Sequence, residues 1–261
     1  MPLSEQEIIK RLNNELKKGR QAVLCILYFK EGSGPRDLGA KMLITSEGEA
    51  IGTIGGGEME RMLVSKALEV MKEGKPYTYH FAMGIHARED MIPINSKCGG
   101  EVKLFMDLIK PDPRLIILGS GLIAQAVARY AKDCGFTVIV VDDAKTATVE
   151  NFHEITLVNS KYPESLRSVD IRTSDYVAML HGETEFEIKG LRYAVVANPD
   201  YIGLLGSRNK RREHVKQLKS EGYSEEIVDR IKGPIGLEIH AETPEEIAIS
   251  IVAELIQHKR G

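Results

Sequence analysis

The chain has no tryptophan and only three cysteines, Cys25, Cys98 and Cys134, among its 261 residues. So sparse and odd a thiol count argues against a disulfide framework and fits a reducing, cytoplasmic setting. Neither a C-x-x-C pair nor an H-E-x-x-H occurs, which leaves a zinc site without support. No apolar run approaches the roughly 18–20 residues that span a bilayer. The opening MPLSEQEIIK is acidic and helical in pattern, unlike a secretory signal. Nor is there an excess of one charge. Thirty-five basic residues face 38 acidic ones for a net −3, so the balance favours neither nucleic acid nor membrane as partner. What remains is an ordinary globular composition, 43% hydrophobic and 28% charged, long enough for one large or two modest domains.

Ser4 and Glu7 form a capping box ahead of Ile8, Ile9, Leu12 and Leu16, and Gly19 ends that helix. The run 22–29, AVLCILYF, reads as a strand buried on both faces. A Gly/Pro loop follows at 32–41, then a short strand KMLIT, the glycine triplet 55–57 and a second helix to Gly74. YTYHFAM and EVKLFMDLI read as further strands around SKCGG. KPDPR (110–114) is the linker candidate, which predicts an α+β domain over 1–110 and a second domain over 114–261. Beyond it, strands alternate with helical segments, the pattern of a parallel, doubly wound sheet. Thr243-Pro-Glu-Glu246 starts the last helix. The expected fold is α/β, with a Rossmann-like C-terminal domain and a smaller α+β N-terminal domain.

The most specific local signal is LIILGSGLIAQAVARYAKDCGFTVIVVDD. Gly119, Gly121 and Ala124 make G-x-G-x-x-A between an apolar strand and a helix, and Asp142 closes the next strand about 20 residues on. The first glycine permits the turn, the second lets a phosphate approach, and the small third residue allows close packing. Asp142 would read a ribose hydroxyl, favouring NAD over NADP, and an empty Rossmann scaffold fits the same residues. A dehydrogenase also needs a proton-transfer group. His181, ending DYVAMLH, is the one well-placed candidate, and that position equally suits a structural hydrogen bond.

Four other loops are rich in glycine or charge. They are GSGPRDLGAK (32–41, with Arg36), GTIGGGEME (52–60, with Gly55, Gly56 and Gly57), KCGGE (97–101) and GLLGSRNKRRE (203–213, with Ser207 and Arg208). Together they suit an anionic, phosphorylated ligand. Cys25, within an apolar strand, and Cys134, at the end of the fingerprint helix, read as packing residues. Cys98 lies instead between Lys97 and Gly99-Gly100 in a polar loop, the setting in which thiols react and bind metals.

Taken in order, these loops resemble the XdhC/CoxI family of accessory factors for xanthine dehydrogenase and related molybdenum hydroxylases. The resemblance extends to YIGLLGSRNKR and GPIGLEIHAETPEEIA and covers nearly the whole chain. It implies a chaperone-like protein, more an accessory factor than an enzyme with its own turnover. Such a protein binds the molybdenum cofactor, protects it during sulfuration by a cysteine desulfurase and inserts it into an apo-hydroxylase. It also implies a homodimer. Carried over, Cys98, followed by Gly99 and Gly100, would lie close to the cofactor or its molybdenum; from their own chemistry Gly55, Gly56, Gly57, Ser207 and Arg208 are expected to hold the phosphate. An NAD-dependent oxidoreductase using Gly119, Gly121, Asp142 and His181 is the alternative. Where many relatives carry a cysteine after the triple glycine, this chain has Glu58.

Overall fold

Ser4 Oγ accepts the Glu7 N–H at 3.3 Å, and helix α1 (Glu5–Lys17) begins there, as the capping signal predicts. The computed structural model describes residues 4–34, 36–55, 57–96 and 98–260. They divide into two units, Met1–Pro111 and Asp112–Gly261.

In the first unit, strands β1 (Ala22–Gly32), β2 (Lys41–Thr45), β3 (Ala50–Gly52), β4 (Tyr77–Met83), β5 (Ile92–Ile94) and β6 (Gly100–Ile109) form one sheet in the order β3-β2-β1-β6-β4-β5. Only β4 and β5 run parallel. Helix α1 packs Ile8 and Leu12 on Ala22, Leu24, Leu43 and Ile51. Helix α2 (Gly57–Glu73) covers the other face, with Met59, Leu63, Ala67 and Val70 against Cys25, Leu27, Ile44, Phe81 and Leu104. Each such side chain contributes about 1.5–3 kcal/mol when buried. Burial of β1 on both faces holds only for 22–25. Helix α1 packs on that beginning, and further along Tyr28 is 48% exposed.

The second unit is a parallel sheet of β7 (Arg114–Leu118), β8 (Thr137–Val141), β9 (Thr156–Val158), β10 (Tyr176–Met179) and β11 (Tyr201–Leu204), in the order β11-β10-β7-β8-β9. This is the doubly wound arrangement of a Rossmann fold, in which the first strand of the unit lies at the centre and the order reverses beside it. Helices α3 (Leu122–Asp133) and α7 (Pro244–Arg260) bury Val127, Ala128, Ile251 and Leu255 on one face. Helices α4 (Thr184–Ala197), α5 (Arg208–Ser220) and α6 (Glu225–Asp229) bury Leu191, Leu218 and Val228 on the other. The α/β expectation, a Rossmann-like C-terminal unit and a smaller α+β N-terminal one, is therefore borne out. Regular helices between β8 and β9 are replaced by turns, and a 3-10 helix, Glu164–Ser168, lies between β9 and β10. Thr243 and Glu246 form their capping box in full, with the Thr243 N–H to Glu246 Oε2 at 3.0 Å and the Glu246 N–H to Thr243 Oγ1 at 3.3 Å. Among the described residues no helix is long and apolar enough to cross a membrane.

Candidate functional site

Strand register gathers three loops of the first unit. Gly100 opens β6 opposite Gly32, the last residue of β1, and opposite Met83, the last of β4. Residues 33–34, 84–91 and 98–99 therefore emerge at one end of the sheet. Position 100 must be glycine, because a Cβ there would meet the Ser33 carbonyl at 2.7 Å and the Glu31 carbonyl closer still. The Ser33 N–H donates to the Gly99 carbonyl at 3.0 Å, tying the first loop to the thiol loop. Cys98 is half-buried, and its N–H donates to Ser96 Oγ at 3.1 Å.

Ser96 in turn lines a cavity of about 110 Å³ between Ile94–Ser96 and the glycine loop, where Gly55, Gly57 and Glu58 form the opposing wall and Met59 and Met83 add thioethers. Glu60 orders that wall, since its Oε1 accepts from Thr53 Oγ1 at 2.5 Å and from the Gly55 N–H at 3.1 Å. Gly56 and Lys97 lie outside the described residues. Gly99 faces open space. Arg36 is exposed on the 33–39 loop, whose Gly34 would place a Cβ 3.6 Å from Met83 Cε. Among the described residues no cluster of three His, Cys, Asp or Glu residues forms a metal site.

The other two thiols differ from Cys98 in opposite directions. Cys25 is fully buried, and loss of hydration pushes its thiol up to about 12. The packing reading for Cys134 is corrected, because that residue is exposed. A continued α3 would carry position 134 onto the side of the buried Val127 and Ala131, but the helix ends at Asp133 and the chain turns at Gly135, φ 82°.

In the second unit the fingerprint turn sits at the carboxyl ends of β7 and β10, where the strand order reverses. Gly119 has φ 124°, and a Cβ there would lie 2.8 Å from the His181 backbone nitrogen, so only glycine fits. Gly121 caps α3 and faces open space, while Ala124 is fully buried against the sheet. Asp142 is 1% exposed. Its Oδ2 accepts from Ser120 Oγ at 2.6 Å and its Oδ1 from the Ala144 N–H at 3.1 Å, so both oxygens already serve the fold. His181 Nε2 is 4.0 Å from Asp142, and its ring ends a stack on Phe186 and Tyr162 with centroid spacings of 3.7 and 3.5 Å. Ser207 Oγ is used as the cap of α5, accepting the Lys210 N–H at 3.2 Å. Arg208 is exposed and makes no side-chain bond among the described residues, whereas Arg211 serves the fold through the Ile231 and Asp229 carbonyls.

The glycine turn and the acid at the end of β8 lie in a stretch that has counterparts in known sequences. A model of the XdhC Rossmann domain matches residues 115–255, and one of the XdhC and CoxI family matches residues 15–82. The chain belongs to the XdhC and CoxI family. XdhC-like relatives include YqeB of Escherichia coli (strain K12), an uncharacterised protein 33% identical over 233 residues, which are 88% of this chain and 42% of the relative. A probable xanthine dehydrogenase component of Bacillus subtilis (strain 168) is 34% identical over 161 residues, 60% of this chain and 46% of that one. This chain thus spans about half the length of those two relatives. The molybdenum cofactor insertion chaperone PaoD of Escherichia coli (strain K12) is 24% identical over 92% of this chain and 84% of its own. A crystal structure described as a xanthine dehydrogenase from Bacillus halodurans shares the fold, with a TM-score of 0.53, 22% identity and coverage of 99% of this chain and 96% of that one.

Sequence reasoning missed one cluster in this XdhC-type Rossmann unit. Glu187 on α4 is fully buried, accepting from the Gly182 N–H at 3.1 Å and from Lys210 Nζ at 2.8 Å, with His214 Nε2 at 3.0 Å. Burial pushes its carboxyl up, but the bonds to His214 and Lys210 outweigh that and hold it below the ordinary carboxylate range. The 27-residue separation of Glu187 and His214 leaves no local signal. The only hint is an acid and a histidine at inward positions of two otherwise amphipathic helices.

Proposed function

We propose that this chain binds the molybdenum cofactor as cargo, shields it while a cysteine desulfurase installs its sulfido ligand, and passes it to an apo-hydroxylase of the xanthine dehydrogenase type. The observation that carries the reading is a cavity lined by Gly55, Gly57, Glu58 and Ser96, with Cys98 bonded to Ser96 beside it and the Ser33 loop tied to Gly99. The donor set suits the cargo. A half-buried thiol is a soft ligand for molybdenum, and an exposed guanidinium and glycine backbone amides suit a pterin phosphate. The bound cofactor's reactive centre is its own, and this chain's part is to hold it and exclude water. A cytoplasmic homodimer that acts without turnover of its own completes the proposal. Membership in the XdhC and CoxI family and the similarity to an insertion chaperone support it.

The NAD-dependent alternative gains no comparable support, because its ribose acid is already bonded and its proton-transfer histidine is stacked on Phe186. The test is retention of released cofactor on the purified protein after gel filtration, for wild type and Cys98→Ala. Retention by wild type and loss in the variant are expected. No retention by wild type defeats the proposal, and equal retention removes Cys98 from it.

A further inference from the structure

We propose that the cavity beside Cys98 reads the 2-amino-4-oxo-pyrimidine edge of its ligand, with Glu58 as the acceptor that selects it. The proposal deepens the cargo reading and rests on it for the choice of a pterin over guanine, which carries the same edge. That edge presents two adjacent N–H donors, a ring nitrogen and the 2-amino group, beside a carbonyl acceptor. Its complement is a carboxylate taking both protons and a neutral donor for the carbonyl.

The cavity wall supplies this set. Glu58, Asn95 and Ser96 line the cavity, and their side chains carry a carboxylate, an amide and a hydroxyl. Ser96 Oγ already accepts the Cys98 N–H, which leaves its own proton to donate. Glu60, two residues on, is bonded to Thr53 and the Gly55 amide and so belongs to the loop rather than to a ligand. Met59 and Met83, each 2% exposed, offer polarisable thioethers suited to a flat ring. The volume, about 110 Å³, admits a heterocycle edge and several waters. The same carboxylate repels a phosphate, so the phosphate of such a ligand is directed away from Glu58.

Binding of the Glu58 side chain to a ring edge predicts a selectivity that simple anion capture does not. The experiment is fluorescence titration of the full chain with pterin, with lumazine, which carries a carbonyl in place of the 2-amino group, and with guanosine. Wild type is expected to bind pterin at least about tenfold more tightly than lumazine, as one bidentate pair gives. Glu58→Gln, which replaces one acceptor oxygen by a donor, is expected to bring the two within about twofold of each other without altering the melting temperature. A wild-type ratio already near one, a ratio untouched by Glu58→Gln, or no pterin binding at millimolar concentration overturns the proposal. Guanosine binding more tightly than pterin upholds the edge and assigns it to a guanine nucleotide. Cofactor retention without pterin selectivity defeats this inference alone. Pterin selectivity without cofactor retention upholds it and defeats the cargo reading.

Discussion

Replacing Glu187 by alanine tests whether the Rossmann unit is held by a buried charge cluster. Three bonds end on this carboxylate, and neither it nor His214 is more than 1% exposed. Breaking a buried pair from one side costs about 3–5 kcal/mol, because the remaining charge stays buried. Lys210, with a side chain 20% exposed, rehydrates in part, which places Glu187→Ala at the low end, about 3 kcal/mol. For a unit of this size that corresponds to a fall of about 6–12 °C in melting temperature.

The control is Glu185→Ala on the same helix. Glu185 pairs with Lys189 at 2.6 Å but is 81% exposed, so its removal is expected to shift the melting temperature by no more than about 2 °C. Acidity adds a second reading. The folded carboxyl of Glu187 titrates below its unfolded value near 4.5, so its stabilisation is complete above that pH and lost as pH falls through the lower folded value. The gap between wild type and Glu187→Ala therefore closes in acid. Circular dichroism melts from pH 7 to 3 provide the measurement. Two variants melting within about 2 °C of each other at pH 7 would refute the reasoning.

Gly119→Ala is expected to cost about 2–4 kcal/mol, from a backbone at φ 124° and a Cβ pressed on His181, and urea denaturation measures it. Gly121→Ala is expected to melt within about 1 °C of wild type because nothing lies within 4 Å of its Cβ, while losing affinity for any phosphate seated on the α3 N-terminus; calorimetry with a nucleotide separates the two effects. Iodoacetamide at pH 8 is expected to modify Cys98 and Cys134 in the folded chain and Cys25 only in denaturant, since burial pushes the Cys25 thiol up to about 12. Intact mass counts the adducts, and prompt modification of Cys25 would contradict its burial.

The Rossmann unit was legible because its signals are local: an apolar strand, a glycine turn and an acid about 20 residues on lie within one βαβ element. The gathering of the Gly55–Gly57 loop with the Cys98 loop was not legible from spacing. It depends on contacts between the start of α2 and the segment before β6, distant in sequence, that leave no periodic trace. Glu187 and His214 were hidden for a related reason, because charged residues on amphipathic helices read as solvated until the opposing helix is placed. Cys134 misled in the other direction. Its residue type suggests burial, yet its position one step past the end of α3 decides its exposure.

The two loop clusters differ most in how far their polar groups are already committed. In the second unit, Asp142 accepts from Ser120 and Ala144, Asp143 from the Tyr162 N–H, Ser207 caps α5 and Lys210 serves Glu187 and the Gly182 carbonyl. A ligand that engages these groups must first displace a protein bond worth about 0.5–1.5 kcal/mol net, and more where a charge is involved. In the first unit the side chains of Cys98, Arg36 and Glu58 make no such bonds among the described residues, and Gly99 opens onto free space. For equal gross contacts, a ligand that engages Cys98 or Arg36 therefore displaces fewer protein bonds than one that engages Asp142, Ser207 or Lys210. The glycine fingerprint dominates the sequence because it is built into the fold, and the less conspicuous loop around Cys98 is where uncommitted chemistry collects.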